Sequence, residues 1–319
     1  MFPESDCKDA LIIHGGALGD FVMTLRVVLT LRLSGATRVG FMGRTEFAVL
    51  ARRGGVDEFI DLNTGGGHAL FSDGARLPDE LCHRLSTFTL VVDLLGGAES
   101  SLPQKLRRMG VRRVVTVDPR PRTDWPGHVS DQWLDDLRAA GLHTNAGPPR
   151  IELEREAVAA AREELRRMTG TSGRIALIHP GSGSARKCWP LESFLYLSDA
   201  LAAEKWDSVF ILGPVESEQF SIADLGRLRS AAPTVEGRAL YALADLLAAA
   251  DLFIGNDSGV AHLAAAVGAP TVAIFGPTQP GRWRPLGPRV AVVTGAGAIW
   301  PVPMDILAAI RTICGPASP

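Results

Sequence analysis

The chain has 319 residues, 46% of them hydrophobic and 21% charged, and a formal net charge of −2. That length is too great for one ordinary core and suits two α/β domains. The near-zero charge excludes a chain-wide attraction to nucleic acid or anionic membrane. Four scattered cysteines without a C-x-x-C pair exclude a zinc ribbon or disulfide framework and fit a reducing, cytoplasmic compartment.

At the N-terminus, Pro3, Glu4, Asp6, Lys8 and Asp9 interrupt any signal-peptide core. Short β-like runs then alternate with amphipathic stretches. Strands are expected at Ala10–His14, Arg38–Met42, Leu90–Leu94 and Arg113–Val117, and helices at Asp20–Leu33, Thr45–Arg53, Ser100–Met109 and Ser130–Ala140. Repeated βα units of this length imply a parallel sheet covered by helices on both faces. Asn63–Gly74 breaks the alternation with three consecutive glycines and reads as a mobile loop. Lys105, Arg107, Arg108, Arg112, Arg113, Arg120 and Arg122 lie close together with only Asp118 opposing them. They read as a solvated helix end or as a surface for an anionic partner.

His143–Arg150 (HTNAGPPR) is dense in turn formers and is the expected linker. It divides the chain into domains at 1–150 and 151–302, with a closing segment at 303–319. After a charged helix at Glu154–Met168, strands are expected at Arg174–His179, Ser208–Leu212, Leu252–Gly255 and Pro270–Phe275. Helices are expected at Leu191–Glu204, Ser217–Leu228, Leu240–Ala249, Gly259–Val267 and Met304–Cys314. The longest stretch free of Asp, Glu, Lys and Arg, Ser258 to Gly281, contains two prolines and changes from helix-like to strand-like, which argues against a membrane span. Two such sheets imply an α/β protein with a cleft between two doubly wound domains, and ligands in open parallel sheets sit beyond the carboxyl ends of the strands.

Three strand-end loops carry the chemistry. His14–Asp20 (HGGALGD) lacks the G-x-G-x-x-G spacing of a dinucleotide site. Asp20 at its end serves a helix N-terminus or acts as a general base during late proton transfer. His179–Pro190 (HPGSGSARKCWP) is not a P-loop, yet its backbone N–H groups, the hydroxyls of Ser182 and Ser184, and the Lys187 ammonium suit a phosphate. The same residues also fit an ordinary βα turn with an exposed lysine. In Gly255–Gly259 (GNDSG), Ser258 fits an N-cap, and the free N–H groups of the following helix make an anion site. Asp257 there would repel phosphate and is better placed to hold sugar hydroxyls. His262, one turn on, is a core histidine or faces the ligand. Glu216 or Glu218 of GPVESE could take ribose hydroxyls or simply complement a helix start. No D-x-D motif occupies a suitable loop, so neither a metal nor a cofactor is expected, and no G-x-S-x-G elbow supports a serine hydrolase.

Three stretches together resemble the lipopolysaccharide heptosyltransferase family: Gly19-Asp20 with Thr24-Leu25, His179–Pro190 ending in Lys-x-Trp-Pro, and Gly255–Thr278. The resemblance implies a GT-B fold of two Rossmann-like domains, the acceptor on the first and an ADP-sugar donor, ADP-heptose, on the second. It implies an inverting, metal-independent transfer to a lipid-linked saccharide acceptor, with peripheral contact at the cytoplasmic face of the inner membrane and no role for nucleic acid. By position, Asp20 would be the general base, and Lys187 with Ser182 and Ser184 would hold the diphosphate. Ser258 and Gly259 would donate from the helix start, Asp257 would bind the transferred sugar, and His262 would lie near the donor. Gly19, Gly183 and Glu216 complete the expected donor set, and the last helix would pack back on the N-terminal domain. The acceptor region, Asn63–Arg76, matches no pattern. A sugar-nucleotide hydrolase or epimerase of the same fold, or a nucleotide-sugar-binding protein without turnover, would use similar phosphate loops.

Overall fold

The computed structural model describes residues 7–63, 67–70, 77–95 and 101–315. The chain divides into two compact units, Met1–Ile151 and Glu152–Pro319.

The first unit contains strands β1 (Asp9–Ile13), β2 (Arg38–Gly43), β3 (Glu58–Asp61), β4 (Leu90–Asp93) and β5 (Arg113–Thr116). Its helices are α1 (Leu18–Leu33), α2 (Ala48–Arg53), α3 (Asp79–Ser86), α4 (Leu102–Arg108) and α5 (Val129–Ala139). The five strands form a parallel sheet in the order β3-β2-β1-β4-β5. A central strand covered on both faces must be apolar throughout. β1 accordingly reads DALII, with its last four residues buried. Helix α1 buries Phe21 to Val28 without a break. Its one buried cation, Arg26, is neutralised by Asp131 at 2.6 Å. Arg26 also donates to Ser130 Oγ and to the carbonyls of Ala146 and Gly147, so the turn-rich segment 143–150 is tied down to this unit.

The second unit contains β6 (Arg174–His179), β7 (Trp206–Leu212), β8 (Thr234–Glu236), β9 (Leu252–Asn256), β10 (Thr271–Phe275) and β11 (Val290–Thr294). Its helices are α6 (Arg155–Thr169), α7 (Leu191–Ala203), α8 (Pro214–Gln219), α9 (Ile222–Ala231), α10 (Leu240–Ala249), α11 (Gly259–Ala266), α12 (Pro280–Trp283) and α13 (Pro303–Cys314). The sheet is parallel, in the order β11-β10-β9-β6-β7-β8. Both sheets run outward from a central pair in opposite directions, the doubly wound arrangement.

Three observed strands are missing from the sequence reading: β3, β8 and β11. All three are sheet edges. β3 (EFID) and β8 (TVE) are short and half-exposed, so they lack the apolar run that marks a central strand. The single helix expected over Ser217–Leu228 is two helices. Ser221 accepts from Asp224 N at 3.1 Å and caps a new one, α9. Helix α13 contributes to the second unit's own core. Its stripe of Ile306, Leu307 and Ile310 is buried with Ile178, Phe194, Leu197 and Val272 in the core of the second unit. Of the glycine-rich stretch Asn63–Arg76, residues 64–66 and 71–76 lie outside the described residues, and Gly67–Leu70 form a 3-10 turn.

Candidate functional site

Ligands of doubly wound sheets gather where the chain leaves neighbouring strands in opposite directions. In the second unit that place is between β6 and β9, which pair with His179 opposite Gly255. The loop after β6 and the turn into α11 both start there.

The β6 loop is held by its neighbours rather than by itself. Asn256, fully buried at the end of β9, accepts from Trp189 N at 2.9 Å and donates to Pro180 O at 2.7 Å and Gly181 O at 3.3 Å. One amide side chain thus satisfies both ends of the loop. Ser182 Oγ donates to Asp257 O at 2.7 Å. The Trp189 ring is buried edge-on to Phe194, with centroids 5.0 Å apart, and its Nε1 donates to Pro301 O at 2.9 Å. This anchor fixes the chain two residues beyond Lys187. Gly183 is exposed, with open space beside its Cα, where a ligand can approach the backbone.

Lys187 Nζ lies 2.9 Å from Asp257 Oδ2. The ammonium is about one-third exposed and the carboxylate is buried, so the lysine reaches in from the rim to neutralise it. The contact is an ion pair rather than an aligned hydrogen bond. Beside it, Ser258 is the N-cap of α11, in extended conformation, with its Oγ accepting from Ala261 N at 3.4 Å. The N–H groups of Gly259 and Val260, ahead of Ala261, have no helical acceptor, and the helix dipole adds positive potential at the same point.

Under the loop, His179 Nε2 is 3.2 Å from Glu216 Oε1, and both side chains are buried. Glu216 Oε2 accepts from Gly213 N at 2.6 Å. Burial pushes the Glu216 carboxyl up. Contact with His179 and the backbone N–H groups of Gly213 and Glu216 more than offset this, and the net direction is down. A Cβ on Gly181 would sit 1.5 Å from Glu216 Oε1, so only glycine fits there. His179 Nδ1 faces Ser258 Oγ at 3.5 Å.

The first unit has the corresponding place between β1 and β4. Helix α1 begins at Leu18, two residues earlier than the pattern suggests, so Asp20 is its third residue and accepts from Ala17 N at 3.2 Å. This is a capping contact, and the carboxylate remains partly exposed. His14, at the end of β1, has Nδ1 3.2 Å from Leu94 O, while its buried Nε2 has no hydrogen-bond partner. A Cβ on Gly16 would lie 2.5 Å from His14 Nε2 and 2.9 Å from Asp20 Cβ, so that glycine is wedged between them. Burial lowers the basicity of His14, only partly countered by the Leu94 carbonyl and the Asp20 charge.

The family model described as glycosyltransferase family 9 (heptosyltransferase) matches residues 122–301, more than half of the chain. The chain belongs to glycosyltransferase family 9. Lipopolysaccharide heptosyltransferase 3 of Escherichia coli is 32% identical over 119 residues, covering 36% of this chain and 35% of that protein. The aligned region thus spans about a third of that curated relative's length. Among solved structures, the family 9 glycosyl transferase from Veillonella parvula superposes with a TM-score of 0.76 at 20% identity, covering 97% of this chain and 98% of that one. E. coli ADP-heptose lps heptosyltransferase II gives 0.71 at 19%, covering 96% and 98%. These neighbours share the fold, the GT-B arrangement of two Rossmann-like units.

The structure gathers the family 9 chain's expected donor residues Ser182, Ser184, Lys187, Asp257, Ser258 and Gly259 at the carboxyl ends of β6 and β9. His262 is buried one turn into α11. Glu216 turns inward to His179, whereas Glu218 is exposed on α8. Gly19 and Asp20 belong to the first turn of α1. Two side chains central to the site, His179 and Asn256, lie inside the loops read from the sequence but receive no role of their own there. Each ends an apolar strand, a position where a buried polar residue has to bond to the loops that leave the sheet. Among the described residues, no group of three or more His, Cys, Asp or Glu is placed to hold a metal. No helix among them is long and apolar enough to cross a membrane.

Proposed function

We propose that this chain is an inverting glycosyltransferase that moves a heptose from an ADP-sugar to a hydroxyl of a lipid-linked saccharide. The single observation that carries the reading is the site between β6 and β9 of a family 9 chain. There a lysine, a buried carboxylate and an open helix N-terminus meet within one loop pair. The diphosphate takes the N–H groups of α11 and the Lys187 ammonium. Asp257, released from its lysine, accepts hydrogen bonds from sugar hydroxyls. Asp20 takes the proton as the acceptor oxygen attacks C1 from the face opposite the diphosphate. The C1–oxygen bond to phosphate breaks, ADP leaves with the electron pair, and the anomeric configuration inverts. Lys187 and the α11 dipole stabilise the departing charge, a role that elsewhere contributes roughly 10²–10³ in rate per donor, so no metal is required.

The lipid-linked acceptor brings the enzyme to the cytoplasmic face of the inner membrane. Arg107 and Arg108 at the exposed end of α4, with exposed Arg112 before β5, are the basic groups that suit anionic headgroups there.

The test is a thermal-shift screen of ADP-, UDP- and GDP-sugars, because a ligand that binds the native state raises the melting temperature by mass action. ADP-heptose should give the largest shift. Product analysis with labelled donor then separates transfer from hydrolysis or epimerisation. Free heptose in the presence of acceptor, or an equal shift with UDP-sugars, would overturn the reading.

A further inference from the structure

We propose that His179 is a positioning residue for the donor diphosphate, and that capture of the diphosphate takes up one proton onto its imidazole. The inference rests on the donor reading above and adds a residue and a linked proton to it.

His179 ends β6 and spans two elements. Its Nε2 meets Glu216 of α8 at 3.2 Å and its Nδ1 meets Ser258, the cap of α11, at 3.5 Å. One ring nitrogen thus lies beside a carboxylate, without an aligned hydrogen bond, and the other beside a hydroxyl. Glu216 Oε1 is buried and has no aligned hydrogen-bond donor, so it draws the Nε2 hydrogen toward itself. The hydrogen on Nδ1 decides what Ser258 can do. A neutral ring with its hydrogen on Nε2 accepts at Nδ1, and the Ser258 hydroxyl proton turns inward to it. A protonated ring donates at Nδ1 instead. Ser258 Oγ then accepts from both Nδ1–H and Ala261 N, and its own proton is left for a ligand.

A phosphate oxygen only accepts hydrogen bonds, so it selects the second arrangement. The 3.5 Å contact is long for a hydrogen bond, as such contacts often are before a ligand tightens them. The charge count points the same way. The ionisable groups on the surrounding elements are Glu216 and the exposed Glu218 on α8, Asp257 before α11 and the buried His262 within it, and Lys187 and the Cys188 thiol on the β6 loop, with Arg186 at its exposed rim. The partly exposed lysine pairs with one buried carboxylate, Asp257, while a second, Glu216, lies against His179, and a dianionic diphosphate adds more negative charge to this place. A proton on His179 is the change that offsets it without moving a side chain.

The test is titration calorimetry of the full chain with ADP-heptose, whose diphosphate diester carries no proton that titrates near neutrality. Measured at about pH 8 in buffers of low and high ionisation enthalpy, the wild type should take up close to one proton per donor bound. Its affinity should fall by up to about tenfold per pH unit where uptake is complete. His179→Gln should bind roughly tenfold or more weakly, with no buffer dependence. Ser258→Ala keeps the imidazole and breaks the coupling, so it too should lose the uptake. It also serves as the test if His179→Gln does not fold. Binding by wild type with no proton uptake, or uptake that persists in either variant, would overturn the proposal while leaving the donor reading intact. No binding of ADP-heptose at all would overturn both.

Discussion

Lys187 Nζ stands 2.9 Å from Asp257 Oδ2, and this pair lies at the open N-terminus of α11. The cation that would hold a diphosphate is thus already held by the carboxylate that would hold the sugar. A donor that occupies the site has to share or break that contact. Replacing Lys187 by Ala should weaken ADP-sugar affinity by about 10- to 100-fold, the usual range for losing a charge-assisted contact. It also strands Asp257 as a buried, uncompensated charge. Lys187→Ala should therefore melt at a lower temperature as well, and Lys187→Ala/Asp257→Asn should recover the melting temperature but not the affinity. Unchanged affinity of Lys187→Ala by calorimetry would rule out its phosphate role.

Asp20 allows the chemical step to be separated from binding. It is the third residue of α1, and its capping contact to Ala17 N uses Oδ2. Asn in its place keeps an acceptor for that backbone N–H and removes the base. The expected outcome is a loss of about 10²- to 10⁴-fold in kcat, the span of general-base contributions, with donor affinity within about twofold of wild type. Parallel measurement of transfer and ADP-sugar binding decides it. A variant that retains transfer would dismiss Asp20 as the base.

How much of this could be read before folding depends on where each residue sits. The central strands were visible because burial on both faces forces unbroken apolar runs such as Ile175–Ile178 and Phe253–Ile254. The edges β3 and β8 were not, since nothing forces apolarity on a strand with one side open. Lys187, Asp257 and Ser258 stood out because small and polar residues between a strand and a helix are the mark of a strand-end loop. The meeting of Lys187 and Asp257 within 3 Å was not legible, because it depends on β6 and β9 pairing across more than seventy residues of chain. The same holds for Asn256 and His179, whose partners lie on other loops. The placement of α13 follows from its stripe of Ile306, Leu307 and Ile310, but the sequence does not say which core receives it.

Asn256 should be a stability residue whose loss also reaches the ligand. Its three contacts join the start of the β6 loop to Trp189 at its end, and it is fully buried. Asn256→Ala leaves a buried N–H and two carbonyls without their partner, at a cost of about 2–4 kcal/mol. For a unit of this size that corresponds to a drop of roughly 5–10 °C in melting temperature. Lys187 hangs on the same loop, so donor affinity should fall even though residue 256 offers no group of its own to the ligand. A variant with wild-type melting and weakened binding would instead indicate that Asn256 meets the donor directly.

The acid limb of stability should have two steps, the upper owned by His14 and the lower shared among carboxylates that include Glu216. Burial holds His14 below its ordinary value of 6.5, with the Leu94 carbonyl and Asp20 countering only in part. The unfolded chain therefore binds a proton there that the folded chain resists. The contribution of His14 is intact above about pH 6.5 and is lost as pH falls through its lower folded value. Glu216 also sits below its ordinary value, 4.5. Burial opposes the shift, and the His179 contact together with the backbone N–H groups outweighs it. Its contribution is complete above about pH 4.5 and disappears on further acidification. Urea unfolding followed from pH 8 to pH 3 should thus weaken first below 6.5 and again below 4.5. His14→Asn, which keeps a donor for Leu94 O, should remove the first step alone, and Glu216→Gln should shrink the second, which Glu58 shares because Arg38 and Arg84 outweigh its burial and hold it below its ordinary value. If His14→Asn leaves the upper step in place, a different group is charging there, and the neutral buried imidazole beside Asp20 is not the source of the pH dependence.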